Sequence, residues 1–60
     1  MRGIIIVNLE NDISGLAVAS FPLNHRIAGD IVTWLADVPT SYALDVAEWL
    51  AAKMELPVIC

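Results

Sequence analysis

The side chains that could do chemistry in this chain are few and far apart. His25 and Cys60 are the single histidine and the single cysteine of 60 residues, so the usual nitrogen and sulfur metal ligands number one each. A nucleophilic triad can be written with Cys60 or Ser20 as the nucleophile. His25 would then be the base and Asp30 the group that orients it. Because no G-x-S-x-G or comparable motif surrounds these residues, we predict that the chain is not an enzyme and has no catalytic residue, no metal site and no cofactor.

The carboxylates form two pairs at helical spacing. Asp45 and Glu48 lie three residues apart, and Asp30 and Asp37 lie two helical turns apart. General acid–base catalysis needs such a pair desolvated in a cleft. Carboxylates on the polar face of a helix are instead ordinary solvated surface. We therefore interpret these four side chains as candidates for an acidic interaction face.

Composition narrows the function classes further. Apolar residues make up 58% of the chain, and seven acids against three bases give a net charge of −4. A mean hydropathy of +0.71 excludes intrinsic disorder, and the acidity excludes a phosphate-binding nucleic-acid module. A core this small supplies roughly 3–5 kcal/mol, and a single cysteine allows no internal disulfide. The apolar excess therefore predicts association, as a homo-oligomer or with another protein.

The chain reads as one domain, residues 1–60, with no membrane segment. Its longest apolar-rich region, Ile27 to Ala52, is interrupted by four acids and by Pro39. A membrane span needs about 20 predominantly apolar residues. The N-terminal run Ile4–Val7 is too short for a signal peptide. We expect a cytoplasmic protein with no membrane partner.

The N-terminal third predicts an antiparallel hairpin. Four consecutive β-branched residues, Ile4–Val7, favour a strand, and Leu16–Phe21 reads as a second one. Between them, Glu10–Asp12 has the composition of a turn. Both strands are apolar on nearly both faces. That pattern predicts cover on both sides of the sheet, or a sheet that continues into another subunit.

The following segment predicts a helix over about residues 25–37. Its apolar residues recur at spacings of one, three and four: Ile27, Ala28, Ile31, Trp34, Leu35 and Val38. The β-branched residues around Ile31 and the helix-weakening Gly29 favour a different structure, a strand over Ile31–Ala36. In that alternative the sheet gains a central strand and the fold becomes ββ-β-α.

A second helix is predicted over about residues 41–54. Thr40 or Ser41 can cap it, its alanines and leucines are strong helix formers, and Pro57 ends it. The tail Leu56–Cys60 can add a short edge strand. The predicted fold is thus α+β, with an N-terminal hairpin followed by two amphipathic helices (ββαα).

Three aromatic residues, Trp34, Tyr42 and Trp49, bear most directly on function. They are either core residues or interface anchors, and in an intertwined homodimer they are both. The predicted interface residues are Ile4, Ile6, Phe21, Ile31, Trp34, Leu35, Tyr42, Trp49 and Leu50.

The leading functional hypothesis is a non-enzymatic protein-interaction domain. It would be a homodimeric accessory or inhibitor protein, of the kind that phages and mobile elements encode. One alternative is a purely structural homo-oligomeric assembly unit, which would leave no apolar patch free. Another is an acidic regulator that masks a nucleic-acid-binding partner, and a salt-sensitive complex with a basic protein would favour it.

Overall fold

Three antiparallel strands followed by one helix make up the fold. The computed structural model describes residues 1–22 and 29–59. The elements are β1 (Arg2–Asn8), β2 (Ile13–Ser20), β3 (Asp30–Pro39) and α1 (Thr40–Met54). The strands form one sheet in the order β1-β2-β3. In the described ranges, no helix has the length and apolar character needed to cross a membrane.

The predicted hairpin is present, and it is closed by a turn with two left-handed residues. Asn11 and Asp12 have φ values of 57° and 59°, as in a type I′ turn. The amide of Ile13 donates to the carbonyl oxygen of Glu10 across the turn, at 3.2 Å. Asn and Asp tolerate this conformation because their short side chains bond locally. The right-handed twist of the two strands is therefore carried through the connection.

The predicted helix over residues 25–37 is wrong, and with it the ββαα fold. The described part of that segment belongs to β3, so the architecture is βββα. The alternative strand over Ile31–Ala36 is the one formed, but β3 lies at the edge of the sheet and β2 at its centre. The portion over residues 25–28 lies outside the described residues.

Two β-bulges explain why β3 has the apolar spacing of a helix. Along β2, Ala19 pairs with Ile31, Ala17 with Trp34 and Gly15 with Asp37, with register shifts between the pairs. Val32 and Leu35 are the extra residues. Each bulge shifts the alternation of side chains by one position. Residues on one face of β3 therefore recur every three positions, close to the 3.6-residue helical period.

The second predicted helix is α1, with a different start from the one expected. Pro39 is the N-cap residue, and the helix has no side-chain cap. The hydroxyl of Thr40 is hydrogen-bonded to that of Ser14 instead, at 2.9 Å. Ser14 is fully buried, so the pair satisfies a polar group inside the fold and ties β2 to the start of α1.

The core lies between the sheet and a stripe of alanines on α1. Its fully buried large side chains come from the strands, and α1 supplies only small ones. The core residues are Ile4, Leu16, Val18, Ala43, Ala47 and Ala51. Because alanine has no side chain beyond Cβ, the helix approaches the sheet closely. The larger apolar residues of α1 are consequently placed at the margins of the core or outside it.

The C-terminal tail lies along the free edge of β1. The amide of Ile4 donates to the carbonyl oxygen of Pro57, and the amide of Ile59 donates to that of Ile4, both at 2.8 Å. Val58 pairs with Ile4 in a single parallel bridge, which is less than the predicted edge strand. Gly3 permits this approach, since a Cβ there would lie 2.7 Å from the Pro57 oxygen.

Candidate interaction surfaces

One face of the sheet packs on α1, and the other has no helix of the described residues against it. We call the second face the outer sheet face. The register places residues of all three strands on it: Gly3, Ile5, Val7, Gly15, Ala17, Ala19, Ile31, Trp34 and Asp37. All of them except Asp37 are apolar, as the sequence of the hairpin strands indicates.

The outer sheet face has small residues along its centre, and they are covered. Ala17 and Ala19 are 0% and 1% exposed. Their shielding comes from larger neighbours, since Ala17 lies between Ile5 on β1 and Trp34 on β3. The accessible apolar part of the outer sheet face therefore lies on β3, at Ile31 and Trp34, which are 55% and 44% exposed.

Trp34 is held in place on this face from two directions. Its indole ring lies against Gly15, where a Cβ would collide with the ring. Its Nε1 donates to Oδ1 of Asp37 at 2.7 Å. The side chain is nonetheless 44% exposed. An aromatic ring fixed at its base and open on its outer side loses little conformational entropy when a partner packs on it.

Negative charge flanks the apolar part of β3. Asp30 begins the strand and Asp37 lies near its end, and both are exposed. Between them, Ile31 and Val32 are 55% and 52% exposed. By the strand register Asp37 lies on the outer sheet face, whereas Asp30, which pairs with Ser20, lies on the side of α1, so the outer sheet face has an acidic side chain at one end of β3.

The open edge of β3 is poorly suited to receiving another strand. Among the described residues no strand pairs with that edge. The bulges at Val32 and Leu35 interrupt its ladder of amides and carbonyls, and charged side chains stand at both ends. Bulges and edge charges are the means by which proteins prevent strand addition. The outer sheet face, rather than the edge of β3, is therefore the candidate surface.

A second surface lies on the side of α1 turned away from the sheet. Tyr42, Asp45, Trp49 and Lys53 follow one another at spacings of three, four and four, and we call them the helix stripe. Tyr42 and Trp49 are 60% and 58% exposed. The ammonium of Lys53 lies 4.8 Å from the centre of the Trp49 ring, within cation–π range.

The structure separates the predicted interface residues into three groups. Ile4 is fully buried, and Ile6, Leu35 and Leu50 are partly buried against the core, so a partner cannot reach Ile4 without unfolding. Phe21 is half-buried. Exposed are Ile31, Trp34, Tyr42 and Trp49, together with all four predicted acids, Asp30, Asp37, Asp45 and Glu48.

Sequence reasoning missed two residues of these surfaces. Val32 lies in the predicted helix and in its alternative, the strand Ile31–Ala36, and nothing in the sequence marks it as an extra residue in a bulge. Lys53 is not among the predicted interface residues. Its position four residues after Trp49 was the available signal, since side chains at that spacing meet on a helix.

The described residues bring no metal-binding cluster together. Within residues 1–22 and 29–59, no three His, Cys, Asp or Glu side chains are placed to hold an ion. His25 and Cys60 lie outside those ranges, so the absence of a metal site and of a triad stays a prediction.

Comparison with known proteins gives no match to a family model, to a curated sequence or to a solved structure. The outer sheet face and the helix stripe are therefore the features that bear on function.

Proposed function

We propose that this chain is a non-enzymatic protein-interaction module, an accessory or inhibitor protein that binds its partner through the outer sheet face. The observation that carries the proposal is the placement of Trp34. Its ring rests on Gly15, is hydrogen-bonded to Asp37 and stays 44% exposed, on the same face as Ile31, which is 55% exposed. Tryptophan is one of the residue types enriched among interface hot spots.

The partner's chemistry follows from the charges around Trp34. Asp37 lies on the outer sheet face and is hydrogen-bonded to Trp34, and the chain as a whole carries a net charge of −4. A complementary partner presents an apolar segment bordered by lysine or arginine. A second copy is a poor occupant of this face, because a two-fold contact centred on Trp34 brings the Asp37 carboxylates of both copies towards one another.

The acidity of this surface also supports one of the alternatives, an acidic regulator that masks a nucleic-acid-binding protein. Such a protein has the basic surface that Asp37 would meet. This hypothesis shares the binding face with the first and differs in what the partner does. Competition between this chain and nucleic acid for a basic partner would distinguish the two.

The proposal is tested with a defined peptide pair. In a Trp49→Phe variant, Trp34 is the only tryptophan, so its fluorescence reports on the outer sheet face. The probes are an amphipathic peptide of lysine and leucine and its counterpart of glutamate and leucine. We expect the basic peptide to shift the Trp34 emission and saturate, and the acidic peptide to leave it unchanged.

Asp37→Asn supplies the matched variant. It keeps the side-chain oxygen that accepts from Trp34 Nε1 and removes only the charge, so about two- to fivefold weaker binding is expected. Glu48→Gln, an equal charge change on α1, is the control and should bind as the parent does. Equal responses to both peptides, or an Asp37→Asn variant that binds undiminished, would refute the proposed partner chemistry.

A further inference from the structure

The helix stripe is an exposed aromatic surface that the proposed function leaves unused. It lies on the opposite side of α1 from Ala43, Ala47 and Ala51, which pack on the sheet. Tyr42 and Trp49 are more exposed than Trp34, at 60% and 58% against 44%. Since the outer sheet face is across the molecule, whatever covers this stripe leaves the outer sheet face free.

The helix stripe has an acidic residue on one side of Trp49 and a basic residue on the other. It can therefore pair with the same stripe of a second copy. Asp45 lies four residues before Trp49, and Lys53 lies four residues after it. When two such helices pack antiparallel with their Trp49 side chains at the two-fold axis, Asp45 of each stands level with Lys53 of the other. A parallel arrangement places like charges at the same level. The charge pattern therefore favours a second copy, in one orientation and one register.

The Lys53–Trp49 contact supports the same register. With its ammonium 4.8 Å from the ring centre, Lys53 lies beside the residue that would sit on the axis. Its flexible stem can carry the ammonium from the ring to a carboxylate of the second copy. Antiparallel packing also opposes the two helix dipoles, which is favourable.

We propose that this chain forms a two-fold homodimer through α1, with antiparallel helix stripes paired about Trp49. The 15-residue helix is about 22 Å long. A helix of that length and about 10 Å width covers less than the roughly 800 Å² per partner of a standard interface. The dimer is accordingly concentration-dependent, and it presents two outer sheet faces at once.

Sedimentation equilibrium on the full chain, over about 1 µM to 1 mM, tests the dimer. Asp45→Lys and Lys53→Asp each place like charges opposite one another twice per dimer, and each should weaken association by at least about tenfold. The double exchange Asp45→Lys with Lys53→Asp restores both pairs and should recover most of the affinity. Lys53→Arg, which keeps the charge and the stacking on Trp49, should dimerise as the parent does.

Two further variants separate this surface from the outer sheet face. Trp34→Ser should leave the dimer intact, and Glu48→Lys, on the flank of α1, should change association less than either stripe reversal. Circular dichroism confirms that each variant is folded. A parent that stays monomeric throughout, a double exchange that fails to recover, or a dimer lost in Trp34→Ser would overturn the proposal, whichever way the peptide test of the outer sheet face turns out.

Discussion

At the scale of single residues, Trp34 depends on the absence of a side chain beneath it. The indole occupies the space that a Cβ at Gly15 would take, and the Asp37 carboxylate holds its outer rim. Neither contact buries the ring, so both determine where it points more than how stable the protein is. A glycine in the interior of a strand costs stability, and here it admits an aromatic ring across the sheet.

Gly15→Ala is therefore expected to displace Trp34 and break its bond to Asp37. The loss of stability should be near 1 kcal/mol, since the ring is the movable end of a side chain. In a Trp49→Phe background, Trp34 emission should shift to longer wavelength as the ring enters water. The control, Ser41→Ala on the exposed side of α1, should not alter it. An unchanged spectrum in Gly15→Ala would contradict the contact.

Glu55 is strained by its own conformation at the end of α1. Its φ of 56° is left-handed, and its amide and that of Leu56 both donate to the carbonyl oxygen of Ala51. A carboxylate here also faces the negative end of the helix dipole. Glu55→Gly should raise the free energy of unfolding by about 0.5–1 kcal/mol, measured by urea denaturation. Glu55→Gln, which removes only the charge, should give the smaller part of that gain.

At the scale of elements, the sequence predicted correctly those elements in which apolar residues recur at a regular spacing. The hairpin and α1 were predicted because β-branched runs, turn residues and alanines agree locally with the structures formed. β3 was predicted to be a helix because bulges at Val32 and Leu35 shift its alternation to every third residue. Bulges follow from cross-strand pairing, which a linear sequence does not display.

The alanine stripe sets the distance between α1 and the sheet. Ala47 is fully buried, so Ala47→Leu should force the helix away from Leu16 and Val18 and cost about 1–3 kcal/mol. Ala52→Leu makes the same change at an exposed position of α1 and should cost little. Comparable thermal unfolding midpoints for the two variants would show that α1 does not pack as described.

The hairpin turn can be improved by one substitution. Asp12 has a φ of 59° at the position where type I′ turns favour glycine after asparagine. Asp12→Gly should therefore stabilise the fold by about 0.5–1 kcal/mol, measured by chemical denaturation. Asn11→Gly should gain less, because asparagine already tolerates this conformation. A destabilised Asp12→Gly variant would mean that the Asp12 side chain has a role beyond the turn.

At the scale of the whole molecule, three large aromatic side chains lie outside, and the core is aliphatic, with only alanines contributed by α1. Trp34, Tyr42 and Trp49 are all exposed, while α1 fills the core with alanine. Apolar content predicted that surface would be left over, but not which residues would form it. The exposed residues of α1 are determined by its alanines. Ala43, Ala47 and Ala51 share one side of α1 and pack closely on the sheet, which leaves the larger residues of the helix stripe outside.

Replacing the aromatics of the helix stripe should consequently leave the folded monomer nearly as stable. Tyr42→Gln with Trp49→Gln should change the free energy of unfolding by less than about 1 kcal/mol at protein concentrations too low for dimerisation. Truncating a buried tryptophan costs about 3–5 kcal/mol. Urea titrations near 1 µM and near 1 mM should agree for this variant and differ for the parent.

The tail on β1 also affects the order in which the fold opens. Ile4 and Val58 lie near opposite ends of the described chain, and a bridge between them closes a long loop for little buried area. The amides of Ile4 and Ile59 should therefore exchange with solvent together, whenever the tail lifts. Strand alternation turns the amide of Ile5 towards β2, where only opening of the sheet exposes it. Neighbouring amides of one strand would thus report two separate motions, fraying of the tail and unfolding of the protein.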